Sequence, residues 1–288
     1  MGEFLGFVTS QMVDGHNADV RALSDQWRSA NDHVQELIAT EPQAADGVTI
    51  GEIPNELSAL ASRVLADPLF RRAFEIVPTR LGVVELDRLV VYQKRINLDF
   101  VARLQETIGR APNAEVVFRT CLPYEHVVPA IRVMRVAQNA FTFISPSNDV
   151  RVVDVALLQP NQIQGFEPHG VMAGGIGLLV GFGINYLQTI HAEGRLILGN
   201  GSHRAYALRE LGITHVPCVV QEVTRRDELE VLGIQELTAS PDRFLKDPRP
   251  PLLKDYFDER LRSVIPVPRQ DRQVKIAFAV EALDVPAT

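Results

Sequence analysis

The sequence contains few cysteines, few aromatic residues and no long hydrophobic run. Of its 288 residues only Cys121 and Cys218 are cysteines, so a disulfide framework and a Cys-x-x-Cys zinc site are both excluded. The first residues lack the basic and apolar regions of a signal peptide. The glycine-rich stretch 170–184 is too short for a membrane span. We therefore expect a cytoplasmic protein with no membrane partner, in a compartment where thiols stay reduced.

The charge balance is acidic, with 29 Lys and Arg residues against 36 Asp and Glu residues and a net charge of −7 at pH 7. Proteins that coat DNA usually present a basic face, so a nucleic-acid partner is not expected, although a total does not reveal a local basic groove. Hydrophobic residues make up 46% of the chain. That content predicts a large core, in one domain or in two smaller ones.

The most informative stretch is the run Gly199-Asn200-Gly201-Ser202-His203-Arg204. A predicted hairpin precedes it, with strands at 184–191 and 195–198 on either side of Ala192-Glu193-Gly194. A helix at 205–211, closed by Gly212, follows it. The glycines allow a sharp turn and close approach to a ligand, and the first amides of the helix are unpaired donors. Such a loop favours an anion, and we expect all six residues to hold phosphate groups. The alternative is a structural turn in which Ser202 caps the helix and nothing binds.

Three side chains in this run carry the chemistry. The guanidinium of Arg204 can bind two phosphate oxygens at once, or it can pair with a nearby acid such as Glu210. His203 can donate to a phosphate oxygen or shuttle a proton. Ser202 is a phosphate ligand, a cap or a nucleophile. The last role needs a base within reach, and a neighbour such as His203 usually points elsewhere on a helix.

Residues 196–220 resemble the ParB/sulfiredoxin superfamily. They comprise a strand, the loop Gly201-Ser202-His203-Arg204, an alanine-bearing helix, and the closing strand Val216-Pro217-Cys218-Val219-Val220. Sulfiredoxin has Gly-Cys-His-Arg in this loop and binds ATP phosphates there, and serine kinases of the same fold have Gly-His-His-Arg. The resemblance implies ATP or ADP as cofactor, with magnesium carried on the nucleotide phosphates. Because Ser202 stands where sulfiredoxin has its cysteine, sulfinic-acid reduction is not expected.

An upstream segment can complete the same fold. Residues 83–93 are strand-like, and residues 97–108 predict a helix that ends at Gly109. Superfamily members begin with such a strand and helix, and in the serine kinases an acid near the start of the helix activates the acceptor hydroxyl. This region offers Glu85, Asp87 and Asp99 for that role, and we pair Asp99 with His203 as the catalytic residues. An acid in a first helical turn is also favoured by the helix dipole alone. The alternative first strand is 150–158.

The overall prediction is an α+β protein with a mixed sheet. Its parts are a helical N-terminal arm at 1–77, a ParB/sulfiredoxin-like core with an insertion at 78–223, and a C-terminal extension at 224–288. Within the core, the patterns predict a strand at 115–119, a helix at 127–138 and a hairpin formed by strands 140–145 and 150–158. The glycine-rich stretch 170–184 reads as a lid or a tightly packed segment.

These features predict a nucleotide-dependent phosphotransferase or hydrolase that acts on a small molecule. One alternative is a ParB-like nucleotide switch, or a nucleic-acid-associated binding protein, without turnover. Another is a scaffold that retains the fold without catalysis. In each case the helical arm at 1–77 could serve as a contact between copies in a homo-oligomer.

Overall fold

The computed structural model describes residues 1–13, 19–165, 169–284 and 286. Both helices and strands are well represented, so the chain is α+β, as predicted. The contacts divide it into two compact units. Unit 1 comprises residues 1–125 and 184–268, and unit 2 comprises residues 126–183 and 269–288. The domain boundaries that the sequence predicts, at residues 77 and 223, remain predictions.

The described α-helices, in chain order, are α1 (Gly2–Gln11), α2 (Val20–Thr40), α3 (Ser58–Ala66), α4 (Pro68–Ala73), α5 (Leu98–Ile108), α6 (Ala114–Cys121), α7 (Ser202–Glu210), α8 (Glu228–Val231), α9 (Gln235–Ala239) and α10 (Pro241–Leu245). The strands are β1 (Thr79–Glu85), β2 (Arg132–Ala137), β3 (Ala140–Ser145), β4 (Val150–Leu158), β5 (Gly175–Phe182), β6 (Gln188–Ala192), β7 (Arg195–Asn200), β8 (His215–Val223) and β9 (Arg272–Ala277). None of the described helices has both the length and the apolarity needed to cross a bilayer.

Unit 1 is built on a four-stranded mixed sheet in the order β1-β8-β6-β7. Strand β8 is antiparallel to β1 and parallel to β6, and β6 and β7 form the predicted hairpin through Glu193 and Gly194. The N-terminal part of the favoured upstream segment lies in β1, where Val84 is opposite Val216. The alternative segment, 150–158, forms β4 in a separate sheet. Residues 79–85 therefore supply a strand to the sheet that delivers the Gly199–Arg204 loop.

Helices α5, α6 and α7 supply apolar side chains to the core of unit 1. Helix α5 begins after the predicted cap Asn97, whose side chain accepts a hydrogen bond from the N–H of Phe100, and ends at Gly109. Its buried residues Val101 and Ile108 join the cluster that includes Leu208 of α7. The core thus fixes α5 against α7, and this packing positions the candidate site.

Unit 2 contains a three-stranded antiparallel sheet, β2-β3-β9, and a two-stranded antiparallel sheet, β4-β5. The two clusters of buried apolar residues found in the described chain both lie in unit 1. Among the described residues of unit 2, Ala140 and Val150 are the apolar residues that are buried. Unit 2 therefore leaves most of its apolar side chains at least partly exposed.

Several element predictions in the middle of the chain were wrong. Residues 115–119 lie in helix α6, whose buried positions Val117, Phe118 and Cys121 follow helical spacing. Residues 127–138 contain strand β2 instead of a helix, and this strand pairs with β3. Strands β3 and β4 are present but do not pair with each other. β3 lies between β2 and β9, and β4 pairs with β5, which occupies most of the stretch 170–184.

Candidate functional site

The loop between β7 and α7 has the strand-turn-helix geometry that the sequence predicts. Gly201 is the N-cap of α7 and has a φ of +98°, in the left-handed region. A Cβ at this position would lie 3.2 Å from the Cα of Leu187, so the turn requires glycine on both counts. Ser202 is the first residue of the helix and is buried, so it is not the cap that the structural alternative proposed.

Arg204 is buried and is held by main-chain acceptors. Its Nη1 donates hydrogen bonds to the carbonyl oxygens of Thr120 at 3.2 Å, Cys121 at 3.3 Å and Asn185 at 2.5 Å. Thr120 and Cys121 end helix α6, where carbonyls without helical partners favour a cation. This geometry gives Arg204 a structural role, since it ties the loop to α6. Its contact with a phosphate stays a prediction.

Gly199 and Asn200 also contact other parts of unit 1. The Asn200 side-chain amide donates to the carbonyls of Ile184 at 3.3 Å and Tyr186 at 3.0 Å. The carbonyl of Gly199 accepts a 2.7 Å hydrogen bond from the hydroxyl of Tyr92. Burial raises the pKa of Tyr92 to about 12, so the phenol remains a donor at neutral pH. These contacts fix the loop in one conformation before any ligand arrives.

The His203 imidazole is half-buried and lies against the start of α5. Its Nε2 accepts a 3.0 Å hydrogen bond from the backbone N–H of Asn97, so the proton of the neutral ring resides on Nδ1. The ring of Phe100 lies edge-on to it, with the centroids 5.4 Å apart. Burial, and secondarily the charge of Arg204, lowers the pKa of His203, so the ring is neutral at pH 7 and Nδ1–H is a donor.

Two helix N-termini therefore meet at one point. Asn97 caps α5, and His203 lies in the first turn of α7. Because each N-terminus carries a partial positive charge, their approach creates a field that favours an anion. Lys94 and Arg95 lie in the segment that leads into α5, although Lys94 pairs with Glu3. Asp99, the other predicted catalytic residue, is exposed in the first turn of α5, and no contact joins it to His203 among the described residues.

A cleft of about 340 Å³ is formed in part by the segment that leads into α5. It is lined by Glu3, Tyr92, Gln93, Lys94, Arg95 and Glu236. Tyr92 links the cleft to the loop through its hydrogen bond to Gly199. Tyr92 could not be identified from the sequence, because an isolated tyrosine in a strand-like segment carries no local functional signal. Within the described chain, no three His, Cys, Asp or Glu side chains are grouped as metal ligands.

No protein-family model, curated protein or solved structure matches this chain. Its function is therefore inferred from its own sequence and geometry.

Proposed function

We propose that this protein binds ATP or ADP with magnesium at the facing N-termini of α5 and α7, and uses the nucleotide as a phosphotransferase or hydrolase on a small molecule. The meeting of the two helix ends at the Asn97–His203 hydrogen bond is the observation that supports this proposal most strongly. Phosphate is the common biological anion that such ends accommodate, because their amides point outward as donors.

Each residue has a distinct role in this proposal. The first amides of α7 and the Nδ1–H of His203 are donors to phosphate oxygens. Asp99 is the base that accepts the proton of the attacking hydroxyl or water. Arg204 positions the loop through its hydrogen bonds to three main-chain carbonyls. The resemblance of residues 196–220 to the ParB/sulfiredoxin superfamily supports a nucleotide as the carrier of the phosphate.

The cleft beside Tyr92 would hold the acceptor. Its volume, about 340 Å³, is at the lower end of the range for small-molecule pockets. Its lining of two acidic side chains, two basic side chains, a phenol and an amide suits a small polar molecule better than an apolar one. We also propose that the protein is located in the cytoplasm. Its two free, buried thiols, Cys121 and Cys218, support this location.

A thermal-shift experiment with ATP, ADP and pyrophosphate, each with magnesium, tests this function. A ligand at a hundred times its dissociation constant adds about 2.7 kcal/mol to the free energy of unfolding. We expect one of these ligands to raise the melting temperature of the wild type but not of His203→Glu. The new carboxylate suits the start of a helix but repels phosphate. His215→Glu, the same change at an exposed histidine of β8, is the control and should retain the shift.

The outcomes separate the candidate functions. Stabilisation by a nucleotide, lost in His203→Glu, followed by phosphate release or transfer that Asp99→Asn abolishes, supports the enzyme. Stabilisation without turnover favours the nucleotide switch. No stabilisation by any of the three ligands contradicts the proposal and leaves the Gly199–Arg204 run as a structural turn.

A further inference from the structure

The β4–β5 ribbon of unit 2 has one face made of apolar side chains, and beyond the pair Val150–Phe182 they are all aliphatic. The antiparallel register places Val152 opposite Val180, Val155 opposite Leu178, and Leu157 opposite Ile176. Because residues opposite each other share a face, these six side chains form one surface, here termed the apolar face. The other face is mixed, with Arg151 opposite Gly181, Asp154 opposite Leu179, Ala156 opposite Gly177 and Leu158 opposite Gly175.

The apolar face is open to solvent. Leu157 and Ile176 are 75% and 76% exposed, and Val155 is 60% exposed. At roughly 100 Å² for each fully exposed aliphatic side chain, the face presents about 300 Å² of apolar surface. An exposed apolar patch of that size is often an interaction site.

We propose that the apolar face is a homodimer interface, where the ribbon packs face to face against the ribbon of a second copy of this chain. Two observations select a second copy. The face carries no charge, so it is complementary to itself under a two-fold axis. Unit 2 as a whole is also neutral, with six Arg and Lys against six Asp and Glu in residues 126–183 and 269–288. Two copies of unit 2 therefore carry no net charge of their own that would oppose their contact.

A lipid surface fits this face less well. Surfaces that lie in the membrane interface typically combine apolar residues with tryptophan or tyrosine and a basic polar face. Unit 2 has no Trp or Tyr in its sequence. The opposite face of its ribbon carries one basic residue, Arg151, and one acidic residue, Asp154, so it is not a basic face. The interface is also separate from the helical arm at residues 1–77, whose role between copies stays a prediction.

Two adjacent leucines provide a matched test of the dimer. Leu178 is 40% exposed on the apolar face, and Leu179 is 50% exposed on the opposite face. Sedimentation velocity of the full 32.0 kDa chain, between about 1 and 100 µM, gives the oligomeric state over the range of affinities expected for such an area. We expect the wild type and Leu179→Lys to dimerise and Leu178→Lys to remain a monomer. A monomeric wild type at the highest concentration, or a dimeric Leu178→Lys, overturns the proposal.

A labelling experiment covers the case in which a lysine variant fails to fold. Cys121 and Cys218 are fully buried, and burial raises the pKa of both thiols to about 12, so neither reacts readily with maleimide. A cysteine introduced as Ile176→Cys should be labelled more slowly as the protein concentration rises, whereas Leu179→Cys should show no such dependence. Equal concentration dependence at both sites contradicts the dimer. Protection of Ile176→Cys only by added phosphatidylcholine vesicles assigns the face to lipid and overturns it as well.

Discussion

The backbone N–H of Asn97 donates a hydrogen bond to Nε2 of His203, across 106 positions of sequence. This contact joins the cap of α5 to the first turn of α7, and it selects the tautomer in which Nδ1 carries the proton. Protonation of Nε2 would abolish the contact, since a ring with two N–H groups has no acceptor. The junction of the two helices is therefore sensitive to pH.

The His203 contact predicts a loss of stability in mild acid. Burial lowers the pKa of His203 in the folded protein, while in the unfolded chain it is near 6.5. As the pH falls below about 6.5 the unfolded chain binds more protons than the folded one, so the free energy of unfolding decreases. His203→Gln retains an acceptor but does not titrate. Urea unfolding from about pH 5 to pH 7.5 should show a steeper decrease for the wild type, and parallel curves would contradict this.

His33 predicts the opposite pH dependence. Its ring lies between two carboxylates, with Nδ1 3.0 Å from Glu36 and Nε2 2.7 Å from Asp258. The hydrogen bonds to Glu36 and then to Asp258 raise the pKa of His33 above 6.5, so the folded state binds the proton more tightly than the unfolded chain. This stabilisation is complete below about pH 6.5 and is lost as the pH rises through the raised pKa.

The measurement is the melting temperature of the wild type and of His33→Gln between about pH 5.5 and pH 9. The difference in favour of the wild type should be largest at the acidic end and should shrink as the pH rises. Arg260, which pairs with Glu36 at 2.8 Å, remains charged over this range and does not contribute to the change. A difference that grows with pH would contradict the role assigned to His33.

The three carbonyls around Arg204 predict a large effect on stability. Arg204→Met would leave the carbonyls of Thr120 and Asn185 without this donor, whereas the carbonyl of Cys121 would still accept from the backbone N–H of Leu187. Each unsatisfied buried group costs about 1–3 kcal/mol, so we expect the free energy of unfolding to fall by about 2 kcal/mol or more. Arg209→Ala is the control, because its bidentate pair with Asp87 is partly exposed and is worth at most about 1 kcal/mol. Equal losses in urea denaturation would show that Arg204 is not a structural tie.

The local features of the site could be predicted from sequence because they depend on neighbouring residues. The helix at 97–108 follows from its cap Asn97 and its terminal Gly109, and both bounds are confirmed to within one residue. The hairpin before the loop follows from two apolar runs around Glu193 and Gly194. Each of these signals lies within a few residues of the element it specifies.

The remaining features depend on partners that are distant in sequence. Strand β3 pairs with β9, more than 120 positions later, and the pattern of residues 140–145 does not identify that partner. The short apolar run 115–119 fits a strand or a helix equally well, and packing of Val117 and Phe118 against the core of unit 1 decides for the helix. The carbonyls that engage Arg204 likewise come from positions 84, 83 and 19 residues away. A sequence pattern identifies the cation but not its acceptors.

Alanine substitutions at two glycines with positive φ allow two contributions to stability to be measured separately. One is the strain of a left-handed backbone, and the other is the steric contact made by an added Cβ. Gly201 has a φ of +98°, and a Cβ there would lie 3.2 Å from the Cα of Leu187. Gly212, after α7, has a φ of +84° and open space around the same position. Gly212→Ala should therefore cost only the strain of the left-handed conformation, about 1 kcal/mol. Gly201→Ala should cost about 2–4 kcal/mol, because the backbone of residue 187 must also move.

Urea denaturation of the two alanine variants measures this difference in stability. Thermal shift with pyrophosphate and magnesium then measures how strongly each variant is stabilised by a phosphate ligand. Because Gly201 sets the direction of the first amides of α7, Gly201→Ala should weaken any stabilisation by the ligand, whereas Gly212→Ala at the far end of the helix should leave it unchanged. If both variants lose equal stability, then the contact with Leu187 does not constrain the turn. If Gly201→Ala retains the full ligand shift, then the amides of α7 are not the donors.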